Sequence, residues 1–139
     1  MSGKPLIYLA SPIKHTDLKV VADRHALMVY AQHALAKAGF HVYCSAVHWY
    51  FAAYCMPDGL PKDWDTFWGP VSLHFLSKCD ELYVVMLEGF DTSNGVAKEV
   101  VYARDHKIPT SFVPFPVKVL PDGSVDLRLL NKMEPDTGG

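Results

Sequence analysis

Leu6-Ile7-Tyr8-Leu9-Ala10-Ser11-Pro12 is the stretch that decides the fold. Five apolar residues run without a break, then meet a serine and a proline. A strand with one wet face alternates apolar and polar residues. An unbroken run this short suits a strand buried on both faces, as in a parallel sheet. The same signal returns in the aromatic and β-branched residues 40–44. It returns again over residues 81–87, with Tyr83-Val84-Val85-Met86-Leu87 as the apolar body, and over residues 108–113. Between these runs lie helical patterns. Residues 17–38 carry Val20, Val21, Leu27, Ala31, Ala34 and Leu35 at helical spacing, and Gly39 stands where a C-terminal cap is expected. Residues 63–78 read as a helix that Gly69-Pro70 must start, break or kink, and residues 95–107 as another.

The order β-α-β-α-β-α-β calls for a parallel sheet with crossover helices. The expected fold is therefore a flavodoxin-like or Rossmann-like three-layer α/β sandwich with a mainly parallel sheet of four to five strands. Residues 45–62 are aromatic, with Trp49, Tyr50, Phe51 and Tyr54, and are expected to form a loop or short irregular helix over one end of the sheet. Residues 117–120 and 125–129, around Pro121-Asp122-Gly123-Ser124, suggest a terminal hairpin, and residues 133–139 a frayed end. The 139 residues are expected to form one domain, with a core over about 5–115 and an extension over 116–139.

Half of the residues are hydrophobic and the formal charge is −2, which argues against a partner that is a nucleic-acid polymer. Three cysteines, Cys44, Cys55 and Cys79, without CxxC spacing, fit reduced thiols in a cytoplasmic protein. No apolar run approaches the ~20 residues that span a bilayer, and no leader peptide is evident, so no membrane partner is expected. Seven histidines include no HxH or HExxH pattern, so no metal is expected, and no cofactor either. A phosphate-binding Gly-x-x-x-x-Gly-Lys loop is absent, and no Gly-x-Gly-x-x-Gly follows the first strand. An electron carrier of flavodoxin type shares the topology, but residues 11–16 lack a glycine for its phosphate loop.

Open α/β sheets bind ligands beyond the carboxyl ends of their strands. That rule nominates residues 11–17, 45–65 and 88–99. In the third, Asp91-Thr92-Ser93-Asn94-Gly95 joins a buried strand to a helix start, where free N–H groups and the helix dipole favour an anion. Gly95 lets the backbone approach closely. Ser93 or Asn94 can equally serve as a plain N-cap. Glu99 falls one turn into that helix, on the border of the face shared by Val96, Val100 and Ala103. There it faces either the cleft or solvent.

Tyr8-Leu9-Ala10-Ser11-Pro12 resembles the Tyr-Leu-Ala-Gly-Pro opening strand of the nucleoside 2-deoxyribosyltransferase superfamily. Ser93-x-Gly95-x-x-x-Glu99 followed by Tyr102-Ala103 is similar to its Gly-x-x-x-Glu-x-Gly-Tyr-Ala segment. Leu60-Pro61-Lys62-Asp63-Trp64-Asp65 and Cys79-Asp80-Glu81-Leu82 resemble a bacterial and phage branch of unknown function within it. The likeness spans roughly residues 6–113. It implies that Glu99 is a nucleophile attacking the anomeric carbon of a nucleoside, that Ser93 binds a 5′-phosphate, and that Tyr8 and Ser11 line the sugar end. The expected partner is then a small-molecule nucleotide, and the expected assembly a homodimer or higher homo-oligomer. The expected activity is that of a nucleoside 5′-monophosphate N-glycosidase or (deoxy)ribosyltransferase.

One position departs from the pattern. Ser72 stands where the superfamily usually has an aspartate beside the leaving base, and a serine is no proton donor near neutrality. Asp65, Asp63, His48 and His74 are the candidate replacements, although a lone His such as His48 in an aromatic loop is more often structural. Alternatively, the chain binds a nucleotide without cleaving it. Trp49, Tyr50, Phe51, Tyr54, Trp64, Phe67 and Trp68 can stack on a base, or can form a lid core or subunit interface.

Overall fold

A computed structural model describes residues 4–61 and 63–128. Four strands, β1 (Leu6–Ala10), β2 (His41–Cys44), β3 (Glu81–Val85) and β4 (Thr110–Val113), form one sheet in the order β2-β1-β3-β4. Every pairing is parallel, so the α/β three-layer expectation is met with four strands. The apolar run of β1 serves both faces. Ile7 and Leu9 pack with Met28, Ala31 and Leu35 on one side, while Tyr8 and Ala10 pack with Leu76, Val96 and Ala103 on the other.

Helix α1 (Leu18–Lys37) covers the first face. Asp17 caps it by accepting a 2.9 Å hydrogen bond from the Lys19 N–H, and Gly39 leaves it at φ 96°, a left-handed turn suited to glycine. Helices α3 (Gly69–Leu76) and α4 (Asn94–Asp105) cover the second face. Among the described residues, no helix is long and apolar enough to cross a membrane.

The segment expected to be a loop or short irregular helix takes the helical form. Helix α2 (Ser45–Tyr50) starts directly at the end of β2 and runs into a π-helical turn, π1 (Phe51–Cys55). Ring packing holds it in place. Tyr50 stacks on His25 of α1 with centroids 4.0 Å apart, and Trp49 meets Trp68 edge-on at 5.5 Å. A second π-helical turn, π2 (Trp64–Trp68), precedes α3. Asp63 caps it, accepting from the Thr66 N–H at 3.2 Å and from the Thr66 hydroxyl. Gly69-Pro70 therefore starts α3. Gly69 has to be glycine there, because a Cβ would stand 2.7 Å from the Trp64 carbonyl oxygen.

β4 begins at Thr110, two residues later than its apolar run, because Lys107 turns at φ 60° ahead of it. The expected hairpin is reduced to single antiparallel bridges, Val119 with Val125 and Phe112 with Arg128, about a turn at Gly123. Leu129 and residues 133–139 lie outside the described residues.

Candidate functional site

β1 lies between β2 and β3, so successive crossovers leave it in opposite directions and a crevice opens at its carboxyl end. A cavity of about 420 Å³ fills that crevice, within the roughly 300–1,000 Å³ of small-molecule sites. The β1–α1 loop contributes Ser11, Lys14 and His15, and α1 contributes Arg24. Ser45, Trp49, Tyr50 and Tyr54 come from the chain after β2, and Trp64, Trp68 and Ser72 from π2 and α3. The remaining wall is the start of α4, from Thr92 through Val96, with Glu99 one turn further in.

Glu99 is buried, with 4% of its surface exposed, so it is not a solvated surface carboxylate. Tyr8 of β1 donates a 2.6 Å hydrogen bond from its phenol to Glu99 Oε2. Burial pushes the Glu99 pKa up to about 7, and the Tyr8 hydrogen bond opposes that rise. The Tyr8 pKa goes well above its usual 10, through burial first and then the adjacent negative charge. The hydroxyls of Ser45 and Ser72 also act on the Tyr8 phenol and pull the other way. Ser72 is thus gathered into the Tyr8–Glu99 cluster, and it is itself buried.

Ser93 caps α4, accepting a 3.2 Å hydrogen bond from the Val96 N–H. The cap uses a lone pair and leaves the hydroxyl proton for a ligand, so the two roles foreseen for Ser93 are compatible. The first-turn N–H groups of Asn94 and Gly95 have no intrahelical acceptor. The space at Gly95 goes elsewhere than expected. A Cβ there would stand 3.1 Å from Trp64 Cζ3, so the glycine accommodates an indole, where close approach of an anion was foreseen. Ser11 Oγ, which lines the cavity, is the only buried side-chain oxygen or nitrogen without a hydrogen-bond partner among the described residues.

Four nominated residues stand outside the cavity lining; Tyr8, expected to line the sugar end, is fully buried and is linked to the cavity through Glu99. His48 is exposed and packs among Tyr43, Trp49 and Phe75, because α2 turns Trp49 inward and His48 a step aside. Asp65 is exposed and pairs with Lys98 at 3.5 Å on the outer side of π2. Asp91 is exposed at the crest of a turn closed by the Thr92 N–H on the Gly89 carbonyl. Asp63 is committed to its cap, and His74 is exposed. None of these four acidic or imidazole replacements for the usual aspartate reaches the lining.

Sequence reasoning passed over Arg24 and Ser45. Arg24 donates to the Lys14 carbonyl at 3.1 Å and the Glu88 carbonyl at 3.2 Å, tying the loops after β1 and β3 together at the cavity rim. Among the described residues it has no carboxylate partner. His15 Nδ1 accepts the Asp17 N–H at 2.9 Å, which puts the proton of the neutral ring on Nε2. Among the described residues no three His, Cys, Asp or Glu side chains gather to hold a metal ion.

The sequence profile of a domain of unknown function, DUF1937, matches residues 5–113. The chain belongs to the DUF1937 family. The matched span of this DUF1937 chain runs from the start of β1 to the end of β4 and includes every residue that lines the cavity. No curated protein matches the chain.

Proposed function

We propose that this DUF1937 domain binds a nucleoside 5′-monophosphate and cleaves its N-glycosidic bond, passing the sugar to water or to a second base. One observation carries the reading. A buried carboxylate, Glu99, borders a ligand-sized cavity one turn beyond a helix N-terminus that opens on the same space. The motif resemblance to the nucleoside 2-deoxyribosyltransferases makes that carboxylate the nucleophile. In the first step a Glu99 oxygen bonds to the anomeric carbon, and the glycosidic nitrogen leaves with the bonding pair. Water or another base then displaces the carboxylate.

The cationic lining supports an anionic ligand. Lys14, Arg24 and the Nε2–H of His15 share the cavity with Ser93 and the start of α4. Tyr8 supports the nucleophile by fixing one carboxylate oxygen and leaving the other for attack. The test is incubation with a panel of natural and modified ribo- and deoxyribonucleoside monophosphates, watching for free base. Base released by the wild type and not by Glu99→Ala supports the reading. No release from any member, or equal release by the variant, rejects it.

Ser72 favours a second reading, a protein that holds a nucleotide without turnover. It replaces the acid that would protonate the leaving base, and general acid catalysis is worth roughly 10²–10⁴-fold. Saturable monophosphate binding without base release supports that reading, and calorimetry showing no binding removes it. A homodimer or higher oligomer is part of the proposal. Exposed Tyr30 and Phe51 are apolar surface for such a contact, and sedimentation at micromolar concentration tests it.

A further inference from the structure

We infer that this cavity recognises the flat face of a nucleobase and not its hydrogen-bonding edge, so that its ligands extend to bases whose edges carry alkyl groups. The inference rests on the nucleotide reading above and specifies its substrate class. All the aromatic groups of the lining come from one stretch of chain, Trp49, Tyr50, Tyr54, Trp64 and Trp68, and each is half-buried against the cavity. An indole has a single donor, its Nε1–H. The Trp49 donor is given to the Tyr43 phenol oxygen at 3.0 Å, and the Trp68 donor to the Pro61 carbonyl at 2.5 Å. Trp64 turns its Nε1 edge over Gly69, 3.0 Å from where a Cβ would stand. The Tyr50 phenol is engaged by the Cys55 thiol.

Asp63, Asp65 and His48 of the same stretch are also turned away. Asp63 caps π2, Asp65 pairs with Lys98, and His48 packs outside the cavity. The aromatic wall therefore offers mainly ring carbon to a ligand, with the Trp49 and Trp68 indole donors already spent on the protein and the Trp64 donor edge turned over Gly69. A site that reads a base edge needs fixed polar groups there, and it rejects an analogue lacking the matching group by as much as roughly 10⁴–10⁵-fold. An apolar wall discriminates far less, roughly 10–200-fold per methylene. Stacking is indifferent to the edge pattern, because every base has a π-face. Alkylating an exocyclic amine thus removes no hydrogen bond that this wall makes and adds apolar surface to cover.

The test is calorimetry on the Glu99→Gln chain, which keeps ligands intact. Two pairs are compared: adenosine 5′-monophosphate with its N6,N6-dimethyl derivative, and cytidine 5′-monophosphate with its N4,N4-dimethyl derivative. In each pair that binds, the dimethyl base is expected within threefold of its parent or tighter. Weaker binding of the dimethyl base by more than threefold in every binding pair overturns the inference, as does no binding by all four. Trp68→Phe keeps a ring without the Nε1 donor and is expected within threefold of the parent chain. Trp68→Leu is expected to weaken binding roughly five- to a hundredfold. If the phenylalanine chain binds as weakly as the leucine chain, the face-reading account is wrong. Glu99-dependent base release confined to unmodified monophosphates would remove this inference and leave the glycosidase reading standing.

Discussion

Tyr8 and Glu99 are 91 positions apart in sequence, yet the phenol of the first donates a 2.6 Å hydrogen bond to the carboxylate of the second. The bond ties the central strand to the helix that covers it, beside the cavity that Glu99 lines. Both groups are buried, so each controls the ionisation of the other.

Removing the phenol tests that control. The Tyr8 hydrogen bond holds the Glu99 pKa down against burial. Tyr8→Phe is therefore expected to raise it further above about 7, moving the midpoint of a carboxyl NMR titration to higher pH. A midpoint that stays or falls contradicts the assignment. The lost charge-assisted bond is expected to cost about 1.5–3 kcal/mol of stability above that midpoint.

Glu99 also sets a pH dependence of folding. Its pKa is raised from the usual 4.5 to about 7 in the folded chain, so the folded state holds a proton that the unfolded state has released between those values. Stability is thus greatest at and below about 4.5 as far as this group is concerned. It falls as pH rises to about 7 and is level above, a change of about 3 kcal/mol. Glu99→Gln is expected to flatten that slope and to be the more stable chain at pH 8. Urea unfolding at half-unit pH steps checks it.

Catalysis runs the other way. An attacking carboxylate must be ionised, so base release by the wild type is expected to increase with pH through a midpoint near 7. Rate profiles of the wild type that are flat across pH 6–8 would exclude Glu99 ionisation as the controlling step.

Arg24→Met removes a positive charge at the cavity rim. Binding of ribose 5-phosphate is expected to weaken about 10–100-fold, the equivalent of one charge-assisted hydrogen-bond set at about 1.5–3 kcal/mol. Lys14→Gln leaves the backbone carbonyl that Arg24 holds, and is expected to weaken binding in the same direction. Calorimetry with ribose as the uncharged control measures both.

The two glycines beneath Trp64 are expected to differ. At Gly95 a methyl group meets indole carbons at 3.1 and 3.2 Å, and helix propensity returns up to about 1 kcal/mol, so Gly95→Ala changes stability little. At Gly69 it meets a backbone oxygen at 2.7 Å, which cannot give way cheaply. Gly69→Ala is expected to be the more destabilised chain by chemical unfolding, and Gly95→Ala to shift tryptophan emission.

Much of this was legible in the sequence for local reasons. β1 has the bounds of its apolar run, because a doubly buried strand needs no alternation. Asp17 and Gly39 mark the ends of α1 through backbone geometry that belongs to them alone. Glu99 was found through motif spacing and helical phase. Residues 45–62 were legible only as a loop or short irregular helix, since their path depends on contacts such as Tyr50 on His25, remote in sequence. The same holds for Arg24, whose acceptors are 10 and 64 positions away. His48 and Asp65 had the right chemistry, but the facing of α2 and π2 was set by rings and not by their own periodicity.

The indole of Trp64 lies over Gly69 at one edge and Gly95 at the other. Positions 64 and 95 are therefore not free to vary independently across the family. A relative that gains more than a methyl group at 95 has to surrender the bulk of the tryptophan, and one that loses the indole relaxes position 95, whereas position 69 still faces the backbone carbonyl of residue 64. Coordinated exchange at 64 and 95, with glycine kept at 69, is the evolutionary signature this wedge should leave.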